Sequence, residues 1–240
     1  MAVLKCISRA RASEIETFEF LYRTPSPHHR AQYRTSLVTT CNHTIPFTRI
    51  LCTQDDIVIS MPYYQPLNKW HTITTDAATD LGRQLLEAVH FMHTRGVAHR
   101  DLKPENVVAD VATGRLFIID YGLATRVRGR HDVTRGFVGT DGFTAPEVVD
   151  SGVGRGFYSP IAADLWATGN ILHFLLSHTG SKSLVLKRLQ MISSELLNDD
   201  PSQRPSAGDM LALQRAGSIL SHCAPKIVHP SSKRPRTTQV

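Results

Sequence analysis

The sequence predicts an α+β protein built as two unequal lobes, a small strand-rich one followed by a larger helical one. Three observations carry this. Two strand-like runs at 47–53 and 57–61 stand either side of the polar turn Gln54-Asp55-Asp56. A Pro- and polar-rich stretch at 62–75 follows and suits a linker. Beyond it the apolar spacing becomes helical, with Leu81, Leu85, Ala88, Val89 and Met92 on one face of a helix over 76–94.

The elements follow in order. Residues 2–8 (AVLKCIS) read as a short strand. Residues 12–23 read as a helix with Ile15, Phe18, Leu21 and Tyr22 on one face, broken by TPSPHHR at 24–30. Residues 31–44 follow neither period. Thr75 is expected to cap the 76–94 helix and Gly96 to stop it. Two apolar runs, 106–109 and 116–119, are joined by DVATG, a hairpin signal. A loop is expected over 121–144, a buried helix over 163–176, and amphipathic helices over 183–197 and 206–219. The Pro/Ser/Thr/basic end reads as a disordered tail. This divides the chain into 1–61 (small lobe), 62–221 (hinge and helical lobe) and 222–240 (tail), with no internal repeat.

Composition narrows the function. The 240 residues carry a net charge of +6, but five basic and no acidic residues lie from Met210 onward. The excess therefore belongs mostly to the tail, and a basic body that tracks a nucleic acid is not expected. No apolar run of about 18 residues exists, so no membrane-spanning helix is expected. The N-terminus lacks the apolar core of a signal peptide. Cys6, Cys41, Cys52 and Cys223 show no CxxC pairing, which suits reduced thiols of an intracellular protein. The twelve histidines form no HExxH or HxH set.

The chemistry is concentrated in one ordered set. His99-Arg100-Asp101-Leu102-Lys103-Pro104-Glu105-Asn106 comes first, and Asp120-Tyr121-Gly122 begins 19 residues after Asp101. Gly139-Thr140, Ala145-Pro146-Glu147, Asp164-x-Trp166-x-x-Gly169 and Asp200-Pro201…Arg204-Pro205 follow. In this order the motifs resemble the eukaryotic-type Ser/Thr protein kinases, over roughly residues 2–215. The resemblance implies a bilobal kinase-like fold and transfer of the ATP γ-phosphoryl to Ser or Thr hydroxyls of a protein substrate, with Mg²⁺. Such transfer is mostly positioning and charge stabilisation.

Residue by residue, the resemblance implies that Asp101 orients the substrate hydroxyl and that Lys103 neutralises γ-phosphate charge. Thr140 would touch both. Asn106 and Asp120 would be the magnesium ligands, hard oxygen donors suited to that ion. Tyr121 replaces the usual Phe and keeps an aromatic plug. His99 would be a packing histidine, Asp164 the support of the loop before Asp101, and Glu147 with Arg204 a buried ion pair. Ala2-Val3-Leu4-Lys5 resembles the strand whose lysine binds the α/β-phosphates, and Lys5 stands 96 residues before Asp101. Met61 would be the gatekeeper, and Tyr64 would offer backbone groups to adenine. Glu14, Glu16 and Glu19 all qualify by type as partner of Lys5. Glu14 has Phe18 and Leu21 at the matching helical offsets. An alignment anchored on Asn42-His43 would supply no glutamate, and both alignments stay open here.

The departures point the other way. No first two strands and no GxGxxG loop precede Lys5, so the resemblance is to an N-terminally truncated small lobe, with weaker ATP binding and room for a partner that completes it. The compactness also resembles kinases of large DNA viruses, herpesvirus-like ones included. A pseudokinase acting as scaffold or regulator is the alternative reading, and a small-molecule kinase a further one. RVRGRHDVTR at 126–135 carries four arginines against one aspartate. It reads as a solvated basic loop, as a docking cluster for phosphorylated Thr134, or as a site for acidic substrates. Lys233, Arg234 and Arg236 resemble a nuclear-localisation stretch, so nucleus or cytoplasm is expected.

Overall fold

The computed structural model describes residues 2–8, 12–23, 42–180 and 183–222. The expected break at 24–30, most of the 31–44 stretch and the tail bearing Lys233, Arg234 and Arg236 lie outside these residues. In the small lobe, β1 (Ala2–Ser8) and β2 (Thr48–Cys52) flank β3 (Asp56–Pro62) in an antiparallel sheet of order β1-β3-β2. The central strand alternates as its sequence demands, with Ile57, Ile59 and Met61 buried and the residues between them half-buried. These three share one core with Ile7 and with Ile15, Phe18 and Leu21 of α1 (Ala12–Arg23).

The stretch expected to be a linker is instead docked on the large lobe. Leu67 and Ile73 are fully buried, and Ile73 N–H donates to the His178 carbonyl at 3.0 Å. Two apolar anchors among polar residues suffice for that, and the polar composition masked them. Within it, β4 (Gln65–Pro66) pairs with β6 (Val107–Ala109), which forms the expected hairpin with β7 (Leu116–Ile118).

The long helix α2 runs over Thr75–Thr94, and its cap is Thr74 rather than Thr75. The Thr74 hydroxyl accepts from Ala77 N–H at 3.2 Å, the N-cap to N3 bond. Gly96 ends the helix at φ 67°, and a Cβ there would stand 2.5 Å from the Val127 carbonyl oxygen. That close approach admits β8 (Thr125–Arg126), which pairs with β5 (Val97–Ala98) inside the expected loop. A short helix, α3 (Pro146–Gly152), was also hidden in sequence, being too short for a period.

α4 (Pro160–Ser177) starts earlier than its apolar run, because Ser159 caps it and Pro160 sits in its first turn. It is the central helix, apolar on nearly all sides; α2 and α5 (Leu184–Leu196) pack against it and each other, and α6 (Ala207–His222) packs on α2 and α5. Among the described residues no helix is long and apolar enough to cross a membrane.

Candidate active site

The site begins with one buried carboxylate. Asp164 lies inside α4 and accepts from His99 N–H at 2.7 Å, Arg100 N–H at 2.8 Å and the His93 ring Nε2 at 3.1 Å. These bonds hold Arg100 at φ 67°, a left-handed conformation that costs a non-glycine residue about 1–3 kcal/mol. His99 is fully buried. Its Nε2 donates to the Ile119 carbonyl at 3.1 Å and its Nδ1 accepts from Asp101 N–H at 3.3 Å. That pattern is the neutral Nε2–H tautomer, and burial lowers the pKa of the ring, which keeps it neutral.

The reversed backbone delivers Asp101 into a closed polar cluster. Lys103 Nζ donates to the Thr140 hydroxyl at 2.7 Å and pairs with Asp101 Oδ2 at 2.9 Å. The Thr140 hydroxyl donates in turn to Asp101 Oδ1 at 2.8 Å. Asn106, at the end of a one-turn 3-10 helix, donates its amide to the Asp101 carbonyl at 2.9 Å and to Oδ2 at 3.1 Å. Gly139 lets Thr140 come this close. It sits at φ 108°, and a Cβ there would be 3.2 Å from the Arg100 carbonyl oxygen.

A second cluster joins the two lobes. Lys5 Nζ pairs with Glu14 Oε1 and lies 2.9 Å from Asp120 Oδ1. The helical phase of α1 selects Glu14, which is buried with Ile15 and Phe18, whereas Glu16 is exposed. The structure thus brings Lys5 and Glu14 together, whereas the segment before Asn42-His43 on which the other alignment rests lies outside the described residues. Burial pushes the Asp120 carboxyl up, but the hydrogen bond and charge of Lys5 outweigh it, and its pKa lies below the ordinary value. Gly122 makes room: a Cβ there would be 3.3 Å from Asp120 Oδ1 and 3.4 Å from Glu14 Oε2.

Between the clusters stands a column of rings. Tyr121 is fully buried, edge-on to Phe18 at 4.7 Å between centroids and 5.0 Å from His99. Burial raises the pKa of its hydroxyl, with Thr44 beside it opposing the shift. Met61 is buried on β3 in the same core, and Tyr64 stacks on Phe117 at 4.9 Å.

Magnesium fits the donor set. With its amide nitrogen given to Asp101, Asn106 keeps its carbonyl oxygen, and Asp120 keeps the oxygen not paired with Lys5. Among the described residues no group of three or more His, Cys, Asp and Glu could hold a metal alone. Two hard oxygens are what an ion sharing its shell with phosphates and waters requires of a protein.

Outside the cleft, Arg204 is buried and meets Glu147 with two bonds of 2.6 and 2.9 Å. The arginines of 126–135 do not converge as a phosphate-docking cluster would. Arg126 lies over the Phe20 ring at 3.6 Å, Arg128 pairs with Asp132 at 3.2 Å, and Arg135 lies over Phe157 at 6.0 Å. Arg130 turns to backbone carbonyls at 201–204.

Sequence reasoning missed His93. Its signal was a polar residue beside buried Phe91 and Met92, in the last turn before His99. It also missed Tyr158, whose hydroxyl accepts from Arg100 Nη2 at 3.1 Å, and nothing in the sequence marked that contact.

Comparison with known proteins agrees with this geometry. Residues 3–183 match the protein kinase domain family. Over 102 residues, 42% of this chain and 7% of the relative, the sequence is 37% identical to mitogen-activated protein kinase kinase kinase nsy-1 of Caenorhabditis elegans. It is 37% identical over 121 residues to the calcium/calmodulin-dependent protein kinase type II alpha chain of Drosophila melanogaster, covering 50% of this chain and 20% of that one. It is 34% identical over 134 residues to sperm motility kinase 2B of Mus musculus, covering 56% and 26%. The chain therefore spans only a minor part of the length of these curated relatives.

Proposed function

The chain belongs to the protein kinase domain family, and from that premise we propose that it is a catalytically competent Ser/Thr kinase using ATP. The observation that carries the reading is the simultaneous formation of two clusters, Lys5–Glu14–Asp120 and Asp101–Lys103–Thr140. A chain that had given up phosphoryl transfer would have no need to keep both assembled at once.

Asp101 accepts the hydrogen bond of the substrate Ser or Thr hydroxyl and takes its proton as phosphorus is attacked. Thr140 and Lys103 hold that carboxylate by one oxygen each. Lys103, two residues on, neutralises charge on the transferred phosphoryl group, and Lys5 does so on the α- and β-phosphates. Glu14 and Asp120 keep the Lys5 ammonium in the cleft. Asn106 and Asp120 would hold Mg²⁺, which when bound neutralises phosphate charge. Adenine is expected beside Met61 and the backbone of Tyr64. Lysine at position 103 favours Ser/Thr over Tyr, by the resemblance of the 99–106 segment to Ser/Thr kinases.

The test is phosphate transfer from labelled ATP/Mg²⁺ to one basic and one acidic protein, comparing wild type with Asp101→Ala. Transfer that disappears in the variant supports the proposal. A folded wild type that transfers nothing to either substrate defeats it in favour of a scaffold. Whether residues 233–236 direct the chain to the nucleus is a separate proposal, read from the distribution of the full chain with and without 231–240.

A further inference from the structure

We propose that Arg130 is a positioning residue that tethers the loop carrying Thr140, so that phosphoryl transfer proceeds without a phosphate on Thr134. The inference rests on the kinase reading above and adds how its site is held. Arg130 Nη2 donates to the carbonyls of Pro201 at 2.9 Å, Ser202 at 3.3 Å and Arg204. Three converging carbonyls form an acceptor that a guanidinium fills with its charge, as it would fill an anion. The Arg130 carbonyl accepts from the Ser159 hydroxyl at 2.7 Å, so the residue is held from both sides. Ser159 is the cap of α4, the helix that also carries Asp164.

The same turn grips the loop a second time. The Arg204 guanidinium, whose carbonyl Arg130 uses, binds Glu147 beyond the loop's far end. Residues 130 and 147 are thus fastened to one turn, with Thr140 between them. In between, Thr134 forms a two-bond antiparallel bridge with Tyr158, at 2.9 and 2.8 Å through backbone atoms alone. Gly136 N–H donates to the Ser151 hydroxyl at 2.9 Å.

The arginines of this loop have contacts of their own, that of Arg128 being an exposed surface pair. Arg126, Arg128 and Arg135 lie on Phe20, Asp132 and Phe157. Arg100, next to Asp101, donates from Nη2 to the Tyr158 hydroxyl, a neutral acceptor, while its buried Nε makes no hydrogen bond within the protein. The ordering a phosphate could impose is already supplied by hydrogen bonds to backbone and hydroxyl groups.

The experiment uses the full chain treated with phosphatase, with absence of phosphate verified by mass spectrometry, alongside Thr134→Ala, Arg130→Ala and Arg130→Lys. Two readouts are taken, kcat/KM on a peptide substrate and amide hydrogen exchange over 128–142. The expected result is full activity in the dephosphorylated wild type and in Thr134→Ala. Arg130→Ala should lose about tenfold to a hundredfold in kcat/KM, the scale of a small misplacement of reacting groups. Its exchange should quicken over 128–142 while α2 and α4 stay protected. Arg130→Lys, which reaches the same carbonyls without the fork, should recover part of both readouts, and it decides the matter if Arg130→Ala does not fold. Wild type inactivated by phosphatase, or an Arg130 variant with unchanged exchange, overturns the proposal. If no form transfers phosphate, exchange alone judges the tether, and the kinase reading fails separately.

Discussion

Removing the Glu147 carboxylate should cost the fold about 3–5 kcal/mol, the range for stranding one partner of a buried ion pair. The Arg204 side chain is 0% exposed and that of Glu147 15%. Arg204 would keep its bonds to the Asn198 carbonyl at 2.8 Å and the Ala162 carbonyl at 2.9 Å. It would lose two charge-assisted bonds, each worth about 1.5–3 kcal/mol. The slight opening at Glu147 admits water to the vacated side, which places the expectation near 3–4 kcal/mol. Against a domain stability of about 5–15 kcal/mol that is a large fraction. At about 2–4 °C per kcal/mol for a chain of this length, Tm should fall by roughly 10 °C. Urea denaturation followed by circular dichroism measures this as a lower midpoint at unchanged m-value. The paired replacement Glu147→Leu with Arg204→Met leaves no stranded charge and should be more stable than Glu147→Ala alone. A Glu147→Ala protein within 1 kcal/mol of wild type, or a double variant weaker than the single, would refute the reasoning.

Three further outcomes are expected. Burial raises the Glu87 pKa, but the His43 ring 3.5 Å away and hydrogen bonds from Arg215 and Arg83 bring it down from 4.5 to about 2. The depressed pKa contributes about 3 kcal/mol that is fully present above pH 4.5 and lost as pH falls toward 2. Glu87→Gln should flatten stability over that window, and an unchanged slope in urea midpoints against pH would contradict this. Gly122→Ala should push Asp120 and Glu14 away from Lys5 and weaken nucleotide binding several-fold with a small change in Tm, read by titration calorimetry. Tyr121→Phe keeps the ring column and removes one buried hydroxyl, so stability should change by about 1 kcal/mol or less and phosphate transfer should persist. A loss of transfer in that variant would mean that the hydroxyl is used.

Much of this was legible in the residues. The alternation in β3 and the apolar phase of α2 declare their elements, because each buries one face against a common core. The candidate catalytic cluster was legible because Asp101, Lys103 and Asn106 lie within six residues of one another. Their geometry is set by one turn. What stayed hidden depends on long-range approach. The two-residue strands β5 and β8 are too short for any period and exist because Gly96 admits Val127. Thr74 and Thr75 are chemically alike, and only the helix phase chooses between them as cap. The basic run 126–135 looks like one patch in sequence, yet a long flexible cation goes wherever the nearest ring, carboxylate or carbonyl stands. The reach of Arg130 across some 70 residues leaves no trace in local spacing.

The placement of Lys5 has a thermodynamic consequence. It sits at the midpoint of β1, which among the described strands pairs with β3 alone, and the neighbouring Leu4 is 65% exposed. Asp101, by contrast, hangs from a carboxylate in the most enclosed helix. The two ends of the proposed phosphate site therefore occupy different rungs of local opening, one shallow and one deep. A nucleotide that needs Lys5 sees only the fraction of molecules in which β1 is docked, and its apparent Kd rises in inverse proportion to that fraction. Trimming Ile7, the buried anchor of β1, should thus weaken nucleotide binding from a distance while leaving the chemistry at Asp101 intact. On the kinase reading proposed above, affinity for the phosphate donor would double as a gauge of how often one short strand is in place.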